Sequence, residues 1–127
     1  MLYGLALKVL IYLFNTANYG VVYDFSSAPP VDKENLKMVA YADANWGGQF
    51  KDACSTTGWI LQLDQCPVYA GSKTQKRPAL STAEAETSAL EFVCKEIEWT
   101  KCLLEELGFQ LELPVTVFQD NNAAIRL

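Results

Sequence analysis

Apolar residues recur along this chain with three spacings, and each spacing predicts a different element. From Met1 to Phe14 they run almost unbroken, MLYGLALKVLIYLF, with Lys8 the one charge. This predicts a helix, buried or docked on a partner, that ends near Asn15-Thr16. NYGVVYDF then has the β-branched and aromatic content of a short strand. From Leu36 to Trp46 the residues alternate, with Val39, Tyr41, Asp43 and Asn45 pointing one way and Ala40, Ala42, Ala44 and Trp46 the other. TTGWILQLD and CPVYAGS predict two further strands separated by the turn Asp64-Gln65. Three strands joined by short turns form an antiparallel meander. From about Thr82 to Leu107 the spacing becomes helical, with Ser81 placed as N-cap and Gly108 as the stop signal. PVTVFQD predicts a short buried strand ending at Asp120, and NNAAIRL the first turns of another helix.

Acids break this pattern on faces that start apolar. At roughly 100° per residue, Glu86 falls in line with Val93, Ile97 and Leu104, whereas Glu84, Ser88, Glu91, Lys95, Glu98 and Glu105 share the opposite face. Asp43 is likewise in line with Val39 and Tyr41. The order of elements predicts an α/β fold, a mixed sheet with the long helix packed on one face. A crossover of that length returns the chain parallel to an earlier strand. With the fourth strand beside the first, Asp43 and Asp120 come from neighbouring strands, and Glu86 projects towards them from the helix. Three carboxylates so placed repel one another unless a cation neutralises them. Oxygen-only ligands select Mg²⁺ or Mn²⁺, and such a set suits phosphodiester hydrolysis with two ions. Each acid also has a plainer reading. Glu86 lies near a helix N-terminus, where a carboxylate favours the dipole, and Asp120 is placed to cap the helix after it. Asp43 is the least easily explained, because Asp is disfavoured inside strands.

Composition narrows the chemistry. With 127 residues, 50% of them hydrophobic, there is enough chain for one domain with a core. The formal charge of −5 gives no global attraction to polyanions, so any such binding is local. The one basic cluster, Lys73, Lys76 and Arg77, is either a phosphate contact or a solvated loop. Histidine is absent, which removes Ser/His/Asp and Cys/His nucleophilic schemes and imidazole zinc sites. The four cysteines form no Cys-x-x-Cys pair and are read as reduced thiols of an intracellular protein, over a disulfide framework or a metal site. The apolar N-terminus has no basic n-region or cleavage site and falls short of the roughly 20 residues that span a bilayer, so no membrane is expected. The segment SSAPPVDKEN marks a linker, dividing the chain into residues 1–32 and 33–127. No Gly-rich phosphate loop follows a strand, against a doubly wound nucleotide-binding domain.

The runs YADANWGG, CSTTGWILQL, SKTQKRPALSTAEAETSAL, EWTKCLLEELG and VFQDNNAAI resemble, in order and spacing, the ribonuclease H domain of copia-type LTR retrotransposon Pol polyproteins. Its usual form is near SDADWAG, RSTSGY, SKKQ, ALSSTEAEYxAL, WLxxLLxELG and DNxxAI. ALKVLIYLFNTANYGVVYDF resembles the stretch joining reverse transcriptase to that domain, often KRxLRYLxGTxxxGLxY. The resemblance implies a ribonuclease H-like fold with a five-stranded mixed sheet. It also implies four acids holding two Mg²⁺ (or Mn²⁺) ions, an RNA–DNA hybrid as substrate, and the reverse transcriptase region of the same polyprotein as partner. Matched by position, three of the acids are Asp43, Glu86 and Asp120. Glu86 is the second acid of EAE and is followed by Thr87, where the family often has Tyr. The fourth lies in a stretch resembling HxRTKHIDIRYHF, downstream of Leu127, as do the final strand and closing helix. The resemblance therefore implies a C-terminally truncated ribonuclease H-like domain, weak or inactive by itself because the fourth acidic ligand is absent. The alternative is a non-catalytic remnant or interaction module, which the apolar N-terminal helix favours.

Overall fold

Alternation along the first strand decides which way the molecule closes. The computed structural model describes residues 2–23, 32–47 and 53–126. Its elements are α1 (Leu2–Asn15), β1 (Met38–Asn45), β2 (Thr56–Leu63), β3 (Cys66–Thr74), α2 (Thr82–Glu106), β4 (Thr116–Phe118) and α3 (Asn122–Ile125). Met38, Ala40, Ala42 and Ala44 of β1 are buried, and the intervening residues Tyr41, Asp43 and Asn45 are exposed. The buried face packs with Trp59 and Leu61 of β2 against Val93, Ile97 and Leu104 of α2. At the other end of the interface the residues are small, Ala44 against Ala85 and Ala89, so the first turns of α2 lie close to the end of β1.

The sheet order is β3-β2-β1-β4. β1 runs antiparallel to β2, with Asp43 opposite Gly58, and β2 runs antiparallel to β3. Asp64 and Gln65 turn that second hairpin with φ of 45° and 71°, the left-handed values that a tight two-residue turn requires. β4 pairs parallel to β1, with Tyr41 beside Phe118. The helical crossover imposes that direction, because a strand reached through a long helix returns the way its predecessor ran. Three antiparallel strands, a covering helix and a parallel fourth strand are the mixed α/β architecture expected, and they are consistent with a ribonuclease H-like fold.

Helix α2 starts and stops where its sequence dictates. Ser81 Oγ accepts a hydrogen bond from the Glu84 N–H at 3.2 Å, and a Glu84 carboxylate oxygen accepts one from the Leu80 N–H at 2.7 Å. At the other end Gly108 takes φ of 82°, and the Phe109 N–H donates back to the Leu104 carbonyl at 2.9 Å. This glycine-terminated reversal satisfies carbonyls that the helix leaves open.

Two expectations need correction at the N-terminus. The described side chains of α1 are exposed, and the helix packs against no other element among the described residues, so of the two expectations, buried or docked on a partner, the first does not hold within them. Residues 18–23 form no strand, and the last two residues of NYGVVYDF lie outside the described residues. β-branched content supplies only a tendency, and residues 18–23 pair with neither of the sheet's edge strands, β3 and β4. Tyr23 instead donates its hydroxyl to the Pro67 carbonyl near the start of β3. Most of the linker SSAPPVDKEN also lies outside the described residues. The first strand is shorter than its alternation, because Leu36 forms an isolated parallel bridge with Leu111.

Packing between the second and third strands leaves no room for a side chain at Gly71. A Cβ added at Gly71 would stand 2.6 Å from Cζ2 of Trp59, whose ring also packs on Phe92 with centroids 4.7 Å apart. Gly71→Ala is therefore expected to displace the indole and cost about 1–3 kcal/mol. Urea unfolding should show a lower midpoint, and an unchanged midpoint would contradict this packing.

Candidate metal centre

The parallel pairing of β1 with β4 brings the first two acids together. Tyr41 pairs with Phe118, so continuing the register by two residues sets Asp43 beside Asp120. Both acids are exposed. Glu86 approaches from α2, on the stripe shared with Val93, Ile97 and Leu104, and is only 6% exposed. One carboxylate oxygen from each of Asp43, Glu86 and Asp120 lies within 4.8 Å of the others. Among the described residues this is the one group of three or more acid, thiol or imidazole side chains so arranged.

Other residues make the caps of the two helices. Glu84, not Glu86, answers the free N–H groups at the start of α2. Asn121, not Asp120, caps α3, its Oδ1 accepting from the Ala123 and Ala124 N–H groups at 2.9 and 3.2 Å. Asp120 and Glu86 are thus left free of the structural work their positions suggested.

Electrostatics set the buried acid apart. Burial raises the pKa of Glu86 above the usual glutamate range, and the negative charges of Asp43 and Asp120 raise it further. A hydrogen bond from Gln119 Nε2 to Glu86 Oε2, 2.8 Å long, opposes the rise, as does one from the Ala44 backbone N–H. No lysine or arginine pairs with the three acids among the described residues, where the one ion pair joins Lys95 to Glu91. The donor set is entirely oxygen and acceptor-only when ionised, which suits a hard divalent cation.

The basic residues occupy a different groove. Lys73, Lys76 and Arg77 line a hollow of about 660 Å³ with Thr57, Glu84 and Phe92, and the acid trio takes no part in it. Lys73 Nζ stands 5.3 Å from the centroid of the Phe92 ring. Gln75 Nε2 donates to Thr57 Oγ1 at 3.1 Å and to the Ala85 carbonyl at 2.8 Å, fixing the end of β3 to the start of α2. Trp46 is 47% exposed and donates its Nε1 proton to the Ala79 carbonyl at 3.0 Å. On the sheet face away from α2, Tyr41 stacks on Phe118 with ring centroids 5.2 Å apart. They line an open hollow of about 640 Å³ that ends at Asp43 and Asp120. Sequence reasoning missed Gln119 at the centre. Its one signal was the strand period, which turns a residue between Phe118 and Asp120 towards the helix.

The sequence relationships agree with this architecture. Over 120 residues the chain is 35% identical to the retrovirus-related Pol polyprotein from transposon RE2 of Arabidopsis thaliana, a match covering 94% of this chain and 8% of that protein. It is 36% identical over 90 residues to the retrovirus-related Pol polyprotein from transposon TNT 1-94 of Nicotiana tabacum, covering 71% of this chain and 7% of that protein. It is also 36% identical over 92 residues to the secreted RxLR effector protein 161 of Plasmopara viticola, covering 72% of this chain and 60% of that protein. No family model matches the chain, and no solved structure matches it significantly. The chain belongs to the retrovirus-related Pol polyproteins and spans less than a tenth of the length of the polyproteins it matches.

The raised pKa of Glu86 has a measurable consequence for stability. The folded protein holds the Glu86 proton to higher pH than the unfolded chain does, so it binds more protons between the ordinary glutamate value and the raised one. The contribution of Glu86 to stability is full below that window, falls as pH rises through it, and is level above it. In the absence of divalent ions, Glu86→Gln should remove this part of the slope and be the more stable protein at neutral pH. Urea unfolding of both proteins from about pH 4 to about pH 8 isolates the difference. Parallel curves would show that Glu86 titrates normally.

Proposed function

We propose that this chain carries the metal centre of a retrotransposon ribonuclease H, hydrolysing the RNA strand of RNA–DNA hybrids during reverse transcription. The observation that carries this reading is the convergence of Asp43, Glu86 and Asp120, from two strand ends and the covering helix, with carboxylate oxygens within 4.8 Å and, among the described residues, no cationic side chain paired to them. These three side chains would hold Mg²⁺ or Mn²⁺. Two such ions, when bound, activate an attacking water and offset charge on the leaving oxygen. Asp43 and Asp120 present carboxylates on the open side, where a phosphodiester can approach, and Glu86 supports them from the helix. The fourth acid that the resemblance implies lies downstream of Leu127.

An RNA–DNA hybrid is recognised by shape and by its 2′-hydroxyls more than by base identity. In this reading the groove of Lys73, Lys76 and Arg77 positions backbone phosphates away from the scissile bond, since phosphate contacts set register and carry no sequence information. The exposed apolar helix α1 is the contact for the reverse transcriptase region of the same polyprotein. No helix among the described residues is long and apolar enough to cross a membrane. We place the reaction inside the cell, in cytoplasm, virus-like particle or nucleus. A second reading is a non-catalytic remnant or interaction module. It is favoured by the exposed α1 and by a relative named as an effector whose match covers 72% of this chain.

Metal binding separates the two readings. Millimolar Mg²⁺ or Mn²⁺ should raise the melting temperature, because a ligand that binds only the folded state stabilises it by mass action. Asp43→Asn should relieve repulsion, raise the melting temperature of the metal-free protein and abolish the response to metal. A folded protein whose melting curve ignores both ions would sink the site.

Cleavage tests the chemistry. The chain as given should cut RNA in a labelled RNA–DNA hybrid feebly or not at all, and a longer product that supplies the downstream Asp should show Mg²⁺-dependent cutting. In that longer protein Asp43→Asn, Glu86→Gln and Asp120→Asn should each lower the rate by about 100-fold or more, and Glu84→Gln should leave it nearly intact. An essential Glu84 with a dispensable Glu86 would overturn the assignment.

A further inference from the structure

Gln119 makes more polar contacts at the acid cluster than any of the acids it touches. It follows Phe118, the last residue of β4, and precedes Asp120. Its Nε2 donates to Glu86 Oε2 at 2.8 Å. Its Oε1 accepts from the backbone N–H of Asp120 at 2.7 Å and from that of Asn121 at 3.1 Å. A single planar amide therefore connects the buried carboxylate on α2 to the backbone that carries the third acid.

The chemistry of the partners fixes which end of the amide faces which. A carboxylate that is ionised only accepts, and a backbone N–H only donates, so the amide nitrogen must face Glu86 and its oxygen must face the turn. Few side chains satisfy both ends. Glutamate would set a carboxylate against a carboxylate, asparagine is one methylene shorter, and an apolar residue would leave the Glu86 oxygen and two N–H groups without this partner. Glu86 has three rotatable bonds and two like charges in front of it, and besides the Ala44 backbone N–H the Gln119 amide is the side-chain donor that holds it against their repulsion. The turn is held from the other side by Asn121, which caps α3.

We infer that Gln119 is a positioning residue of the metal centre, clamping Glu86 to the backbone of Asp120 so that the acids are spaced for a divalent cation before it arrives. This rests on the metal-binding reading above. Neighbours that orient metal ligands through hydrogen bonds are worth about 10–100-fold in metal affinity. A role in the turn alone would lower stability and leave the affinity of the folded protein where it was.

The experiment is direct titration of the full chain with Mn²⁺, following the free ion by its paramagnetic resonance, for the wild type, Gln119→Met and Gln119→Ala. Met keeps the length of the side chain and removes both hydrogen-bonding ends; Ala provides a second variant if Met disturbs the turn. Affinity about 10–100-fold weaker in whichever variants fold is the expected result. In metal-free protein, the side-chain amide protons of Gln119 should also show a nuclear Overhauser contact to the Glu86 side chain. Wild-type protein that takes up Mn²⁺ no more tightly than its folded variants overturns this inference alone. Wild-type protein that takes up none overturns the metal reading and this inference with it.

Discussion

Like charges do not gather by themselves, and the arrangement of this molecule follows from what holds three carboxylates together. The attraction is supplied elsewhere, by apolar contact between α2 and the buried face of β1 and β2. Near the acids that contact is made of alanines, Ala44, Ala85 and Ala89. A larger residue at any of them would push the first turns of α2 away from the end of β1. The small residues thus set a spacing, and the longer Met38, Leu61, Val93 and Ile97 farther along supply most of the buried area.

Helical phase then sorts acids that are two residues apart into opposite roles. Glu84 and Glu86 differ by about 200° around the helix axis. Glu84 turns outward and back, where it accepts from the Leu80 N–H and helps close the helix start. Glu86 turns inward, loses water and meets Asp43 and Asp120. Because the N-terminal role is already filled, burying Glu86 brings no capping benefit that would account for its position. Its burial is costly and is offset only partly by the hydrogen bonds from Gln119 and Ala44.

Features set by period or by chain direction were legible in the sequence. The phase of α2, the antiparallel meander and the parallel return of β4 follow from spacing and crossover length, and they bring Asp43, Glu86 and Asp120 to one place. Features set by a partner surface were not. The apolar run of α1 looks the same whether the covering surface belongs to this chain or to another, and the described part of NYGVVYDF has strand composition yet pairs with neither edge of the sheet. Lys73, Lys76 and Arg77 adjoin α2 in sequence but face a groove on the Glu84 side. Gln119 was invisible because its role depends on two geometries at once, the position of Glu86 and the path of the turn. A neutral amide carries no charge signature of its own.

The two faces of the sheet divide the work of the proposed centre. Asp43 and Asp120 stand with Tyr41 and Phe118 on the face away from α2, at one end of an open hollow, whereas Glu86 comes from the covered side. The proposed substrate, a nucleic-acid duplex, is too wide for an enclosed pocket, so the acids proposed to meet it need to be exposed, and exposed carboxylates are weakly ordered by packing. Glu86 is ordered by burial, and Gln119 passes that order to the backbone of Asp120 through one amide. The buried acid therefore acts as the fixed point of the cluster, and the exposed pair gain a defined spacing without being buried themselves.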